Sequence, residues 1–213
     1  HTTMKYSDIY RLYSTSQPKD AIHQALREVS VDDSDEQYED RSPLHLACQY
    51  GDTEGVKILL ERDAEPNTKD ANGSTPIHIL GRTSAGCADE DKLKEIAVVL
   101  MEHGANIPRS AKNTTALIEC VRNRHFKMAE AIINSGTRVN STDLNGENVL
   151  FGFCAASGDI RRDIRFAKKE LDESVQYSYP ENKIEEIRSR IARLEDDGEA
   201  AYRLARRLVE EDK

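Results

Sequence analysis

An all-α solenoid of stacked helical pairs is the fold this chain predicts, on three observations. Pro43 and Pro76 stand 33 residues apart, each preceded by Ser or Thr and followed by an aliphatic residue and a histidine, Leu44-His45 and Ile77-His78. A fixed period of that size, opening each time on a proline at a first helical position, marks a repeated helix–turn–helix unit. Apolar residues then recur at helical spacing, as in Val56, Leu59 and Leu60 or Ala129, Ile132 and Ile133. Lastly, Asn72-Gly73 and Asn145-Gly146 are turn-forming pairs that fall between successive units.

Composition narrows the functional classes. The net charge of -9 argues against general nucleic-acid binding, which needs a cationic face to displace counterions. Hydrophobic residues make up 38% and charged residues 32%, enough for a core beneath a highly charged surface. No apolar run is long enough to span a bilayer and no secretory pattern is present, so no membrane partner is expected. His1-Thr2-Thr3 reads as a remnant of expression, with native sequence starting at Met4. Cys48, Cys120 and Cys154 fall near one position in first helices and are expected to be buried thiols, whereas Cys87 lies in an apparent loop. Without Cys-x-x-Cys spacing there is no sign of a zinc site or disulfide framework, and a reducing cytoplasm is expected.

Taken in order, residues 4–36 form a degenerate first unit that caps the stack. Ile9, Tyr10, Leu12 and Tyr13 give one apolar helix face, and Pro18 opens a second helix carrying Ile22, Ala25 and Leu26. The acidic run 32–40 reads as a solvated loop. Four units follow over 37–158, at 37–69, 70–109, 110–142 and 143–158 onward. In the first, Ser42 is the expected N-cap and Gly51 the left-handed stop, while Asp63 stands at a second such turn. The second unit carries an eight-residue excess within 81–92, either a contact loop or a tolerated insertion. In the third, Arg124 replaces the turn glycine, so a strained turn is expected unless Asn123 absorbs it. In the fourth, Asn148-Val149-Leu150-Phe151 replaces the usual start.

Beyond Gly158 the period is lost. Ile160, Ile164, Ala167, Leu171 and Val175 repeat at helical spacing, Pro180 breaks the chain, and Ile184, Ile187, Ile191 and Leu194 resume. Leu204, Leu208 and Val209 continue the stripe after Gly198. Residues 159–213 are therefore expected as C-terminal helices, either a cap or a helical hairpin, with a homodimer contact through 181–213 as the alternative use.

In register, Gly51, Val56, Leu59, Leu60, Ala64 and Asn67 join the Ser/Thr-Pro-Leu/Ile-His start, and together they resemble ankyrin repeats. The resemblance implies an ankyrin-repeat solenoid with short β-hairpin loops. It implies that His45 and His78 tie the hairpin to the helix rather than bind metal. It also implies a non-enzymatic scaffold that binds another protein through hairpin tips and first helices on a concave face. Carried onto this sequence, the partner-binding positions are Arg41, Gln49, Tyr50, Asn72, Ser74, Arg82, Lys112, Arg122, Asn123, Asn145 and Glu147. Tyr50 is the expected hot spot, since a half-exposed Tyr joins apolar area to a hydrogen bond. Arg41, Arg82, Lys112 and Arg122 suggest a basic line for an acidic or phosphorylated segment. His23, His103 and His125 are scattered, no phosphate loop or Gly-x-Ser-x-Gly occurs, and neither catalysis nor a cofactor is expected. A recruiting module or effector of a larger enzyme system is a further reading.

Overall fold

The computed structural model of the chain describes residues 3–83, 89–107, 115–136 and 148–211, which form α-helices and no β-strand. The chain divides into two compact units, His1–Gly146 and Glu147–Lys213. In the first, α1 (Tyr6–Ser14), α3 (Pro43–Gln49), α5 (Pro76–Arg82) and α7 (Ala116–Arg122) form one layer. The second layer holds α2 (Lys19–Glu28), α4 (Thr53–Glu61), α6 (Glu90–Glu102) and α8 (Phe126–Asn134). Each helix touches its pair mate and its counterparts in neighbouring units, so burial is shared from unit to unit.

Local chemistry sets where these helices begin. Ser42 accepts the His45 N–H and Asp52 that of Gly55, while Asp89 and Thr115 accept from Lys92 and Ile118. Each satisfies a donor that a helix start leaves orphaned. Between the layers Leu44, Leu46, Val56, Leu59, Ile77, Leu80, Leu93, Ile96 and Leu100 are fully buried. Each such side chain contributes about 1.5–3 kcal/mol of transfer free energy. In α1 the buried face is Tyr6, Ile9 and Tyr13; Tyr10 and Leu12, expected on that face, are half-buried beside it.

The turns show where the repeat has drifted. Gly51 takes the left-handed conformation at φ 60°, and Asp63 and Arg124 take it with a Cβ at φ 62° and 60°. Asn123 stays at φ -91°, so Arg124 itself bears the strain. The 81–92 excess is shorter than a loop reading implies. Gly81 and Arg82 end α5 and residues 90–92 open α6, with 84–88, including Cys87, outside the described residues. Glu90 accepts the Lys127 N–H at 2.6 Å and Asp91 pairs with Lys127 Nζ at 2.8 Å. Acids from the excess thus cap α8, whose own N-cap His125 makes no side-chain cap bond.

The second unit holds α9 (Val149–Gln176) and α10 (Glu181–Glu211), an antiparallel helical hairpin joined through Pro180. Helix α9 runs through Gly158 without a break. Ala167, Ile187 and Ile191 form a buried cluster with Leu171 and Leu194 against it. Farther along, Ala201, Leu204 and Leu208 are buried. Three expectations change here. Val175 is 53% exposed while Ser174 is buried, because the seam advances by three residues rather than four at that step. Val209 is also exposed. Cys154 is exposed as well, one residue past Phe153 on the stripe Val149, Phe153, Ala156 and Ile160.

Candidate functional site

The first-helix layer carries a polar ladder built from equivalent positions. Arg41 lies just before Ser42-Pro43 and Gln49 ends α3; 33 residues on, Ser74 and Arg82 hold the same two places. In one unit Arg41 Nη1 donates to Gln49 Oε1 at 2.9 Å, and in the next Arg82 Nη1 donates to Ser74 Oγ at 2.9 Å. The bridge persists while the arginine changes ends. Both guanidiniums also face carboxylates: Arg41 lies 2.6 Å from Glu39 and 3.5 Å from Asp70, and Arg82 lies 3.2 Å from Glu119. Two members of the expected basic line are therefore locally neutralised. Partly buried pairs of this kind resist screening better than exposed ones.

The histidines close the junctions. His45 Nδ1 accepts the Ser42 backbone N–H at 3.1 Å, which places the ring proton on Nε2, donated to the Ser74 carbonyl at 2.8 Å. Burial lowers the His45 pKa, with the Ser74 bond resisting. His78 receives the Thr75 N–H in the same way at 3.3 Å. His125, whose ring sequence reasoning left unplaced, donates Nε2–H to the Thr83 carbonyl at 2.6 Å, and burial lowers its pKa too. His45 and His125 thus each join one unit to the next.

The remaining predicted positions differ in exposure. Tyr50 is half-buried, stacked on Tyr13 with centroids 4.8 Å apart and planes 13° from parallel. Asn72, at the hairpin, is half-buried; its N–H is accepted by Asp70 Oδ1 at 2.9 Å. Asn123 is exposed, with Nδ2 donating to the Gly81 and Glu119 carbonyls at 3.1 and 2.9 Å, and Arg122 is exposed beside it. Ser74 departs from its expected exposure: it is fully buried, because its carbonyl serves His45 and its hydroxyl serves Arg82. Lys112, Asn145 and Glu147 lie outside the described residues, as does the Asn145-Gly146 turn.

Sequence reasoning missed a buried junction. Asp52, 4% exposed, accepts from Tyr13 Oη at 2.7 Å, His23 Nε2 at 2.9 Å and the Gly55 N–H at 3.2 Å, with Lys19 Nζ 3.7 Å away. Burial alone would raise its pKa. The bonds from His23, Tyr13 and Gly55 and the Lys19 charge more than offset that, holding the carboxyl below its ordinary range. The same arrangement raises the Tyr13 pKa, chiefly through burial and then through the Asp52 charge. With α1, α2 and α4 each contributing, the trio latches the first pair to the next unit. The participants span 39 residues of sequence, so no local motif announces them.

No group of three metal-binding side chains comes together among the described residues, and no described helix is long and apolar enough to cross a membrane.

Comparison with known proteins agrees with this architecture. Residues 26–80 match the family model for ankyrin repeats (many copies). The transient receptor potential cation channel subfamily A member 1 homolog of Caenorhabditis elegans is 46% identical over 48 residues, 22% of this chain and 4% of that protein. The neurogenic locus notch homolog protein 1 of Mus musculus is 31% identical over 134 residues, 62% of this chain and 5% of that protein. The human transient receptor potential cation channel subfamily A member 1 is 34% identical over 85 residues, 38% and 7% of the two chains. The chain thus spans only a small fraction of the curated relatives it matches.

Proposed function

The chain belongs to the ankyrin-repeat family, and from that premise we propose that it is a non-enzymatic module that binds another protein on its concave face. Ankyrin repeats generally mediate protein–protein interaction. The observation that carries the reading is the row of side chains immobilised in advance. Tyr50 rests on Tyr13, Asn123 bridges two carbonyls, and Gln49 is held by Arg41. Groups already ordered lose less entropy when a partner arrives, which favours affinity. Asn72, Lys112, Asn145 and Glu147 extend the proposed row.

The proposed ligand is an acidic or phosphorylated segment. The exposed Arg122 is its proposed cation, and Lys112 is a second proposed contact. A reducing compartment such as the cytoplasm suits the free, buried thiols of Cys48 and Cys120, whose pKa values burial raises. Affinity capture followed by cross-linking mass spectrometry tests the reading. Cross-links from the partner should concentrate on α3, α5 and α7 and their hairpins. A map centred on α4, α6 and α8 would overturn it.

A further inference from the structure

The helical hairpin has a gap in its seam. Along α10 the stripe Ile184, Ile187, Ile191 and Leu194 steps next to Gly198, then to Ala201 and Leu208. Glycine is the least favourable ordinary residue in a helix interior apart from proline, and no turn or positive φ calls for it here. Nor does packing demand it, since a Cβ at this position would meet Ile160 Cγ2 at an ordinary 3.4 Å. Beside the missing side chain an open groove of about 520 Å³ is floored by Ile160 and Ile164 and flanked by Arg161, Glu199 and Tyr202. Tyr202 is 67% exposed.

Two charges of opposite sign line this groove. Some surface ions of the hairpin pair off, as in Lys168–Glu195 and Arg162–Asp159, both at 2.8 Å. Arg161 and Glu199 are exposed and have no ion-pair partner among the described residues; Arg161 Nε donates only to the Ser157 carbonyl, at 3.3 Å. The α9 wall thus carries a positive charge, and the α10 wall a negative charge and the Tyr202 ring. Such a surface is complementary to itself under a two-fold rotation, which exchanges the walls.

We propose that this groove is the contact for a second copy of the chain, closing two hairpins into a four-helix bundle. A two-fold axis parallel to the helices packs α10 of each copy antiparallel on α9 of the other and sets Tyr202 of each copy over Ile160 and Ile164 of the other. The same axis sets Arg161 of each copy beside Glu199 of the other. Burying the exposed ring and Ile164 drives association, and the two reciprocal ion pairs fix the antiparallel register. This inference is independent of the proposed concave-face partner, and either can fail without the other.

Sedimentation equilibrium on the full chain tests it with four proteins. The wild type should show a concentration-dependent monomer–dimer equilibrium. Arg161→Glu and Glu199→Arg should each weaken dimerisation at least tenfold, because each faces two like-charge contacts. An equimolar mixture of the two should recover dimers, since every interface pair is then opposite in charge. Tyr202→Ser should weaken dimerisation without reversing any charge. Arg161 and Glu199 make no ion pair among the described residues, so melting temperatures at low concentration should stay at the wild-type value. A wild type that stays monomeric, single reversals that dimerise as the wild type does, or a mixture that stays monomeric would each overturn the proposal.

Discussion

His45 of one unit donates its Nε2 proton to the carbonyl of Ser74, 29 residues on, at 2.8 Å. The bond makes a first-helix side chain in one unit part of the hairpin of the next. The Ser42 bond at the start of α3 requires a neutral ring, because it is accepted at the other nitrogen. Protonation at Nδ1 therefore breaks the Ser42 bond, while the Nε2–H bond to Ser74 is retained.

The pH dependence follows from that geometry. His45 and His125 have folded pKa values lowered by burial from their ordinary value. In such a case the unfolded chain takes up protons first. The stability contribution is complete above the unfolded value of about 6.5 and is lost as pH falls through the folded pKa, with a slope approaching about 1.4 kcal/mol per pH unit for each group. Melting temperatures measured from about pH 8 down to about pH 5 should fall. His45→Gln should be less stable at neutral pH and should flatten the slope. A melting temperature that rises on acidification would contradict the account.

Asp52 acts in the opposite pH range and on a different junction. Its folded pKa is depressed, so its contribution is present above the unfolded carboxylate value of about 3.9 and disappears only as pH falls through the folded pKa. At neutral pH, Asp52→Ala leaves the Tyr13 hydroxyl and the Gly55 N–H without their acceptor, at about 1–3 kcal/mol for each buried group. Gly55→Ala should also destabilise, since its Cβ would lie 2.8 Å from Asp52 Oδ2 and 2.9 Å from Leu26 Cδ1. Chemical denaturation measures both, and a hydrogen-exchange profile should show α1 and α2 losing protection before α5.

Arg124 offers a stabilising change. At φ 60° a residue with a Cβ is strained by about 1–2 kcal/mol, and glycine removes that strain while making the unfolded chain somewhat more flexible. Arg124→Gly should therefore raise stability by about 0.5–1 kcal/mol. Denaturant midpoints for the pair decide the matter; a lower midpoint for the glycine variant means the arginine's contacts outweigh its backbone strain.

What the sequence disclosed is what short-range chemistry encodes. Ser42-Pro43, Gly51 and Asn72-Gly73 act within one turn, so the helix starts and stops around them could be read directly. The seam of α9 could be followed as far as Leu171 and was lost at Ser174, where a strict four-residue step no longer tracks a helix of 3.6 residues per turn. Long-range pairing was hidden. Asp52 gathers Tyr13 and His23 from two earlier helices, and nothing near any of the three foretells it. For the candidate face, register located Arg41, Ser74 and Arg82 but could not show that they spend their donors and acceptors on Gln49, on His45 and on one another.

The direct test of the proposed binding face is the dissociation constant of a captured, purified partner for paired surface variants of the chain. Tyr50→Ala should cost about 2 kcal/mol or more, as a central aromatic contact does. Arg122→Glu should slow association and lessen its salt dependence. Lys57→Glu with Lys127→Glu alters only the second-helix layer, where those lysines pair with Glu95 and Asp91 at 2.8 Å, and should change affinity by less than about twofold, within the usual effect of a peripheral surface charge. If the Lys57 and Lys127 pair weakens binding as much as Tyr50→Ala and Arg122→Glu do, the first-helix face is not where the partner sits.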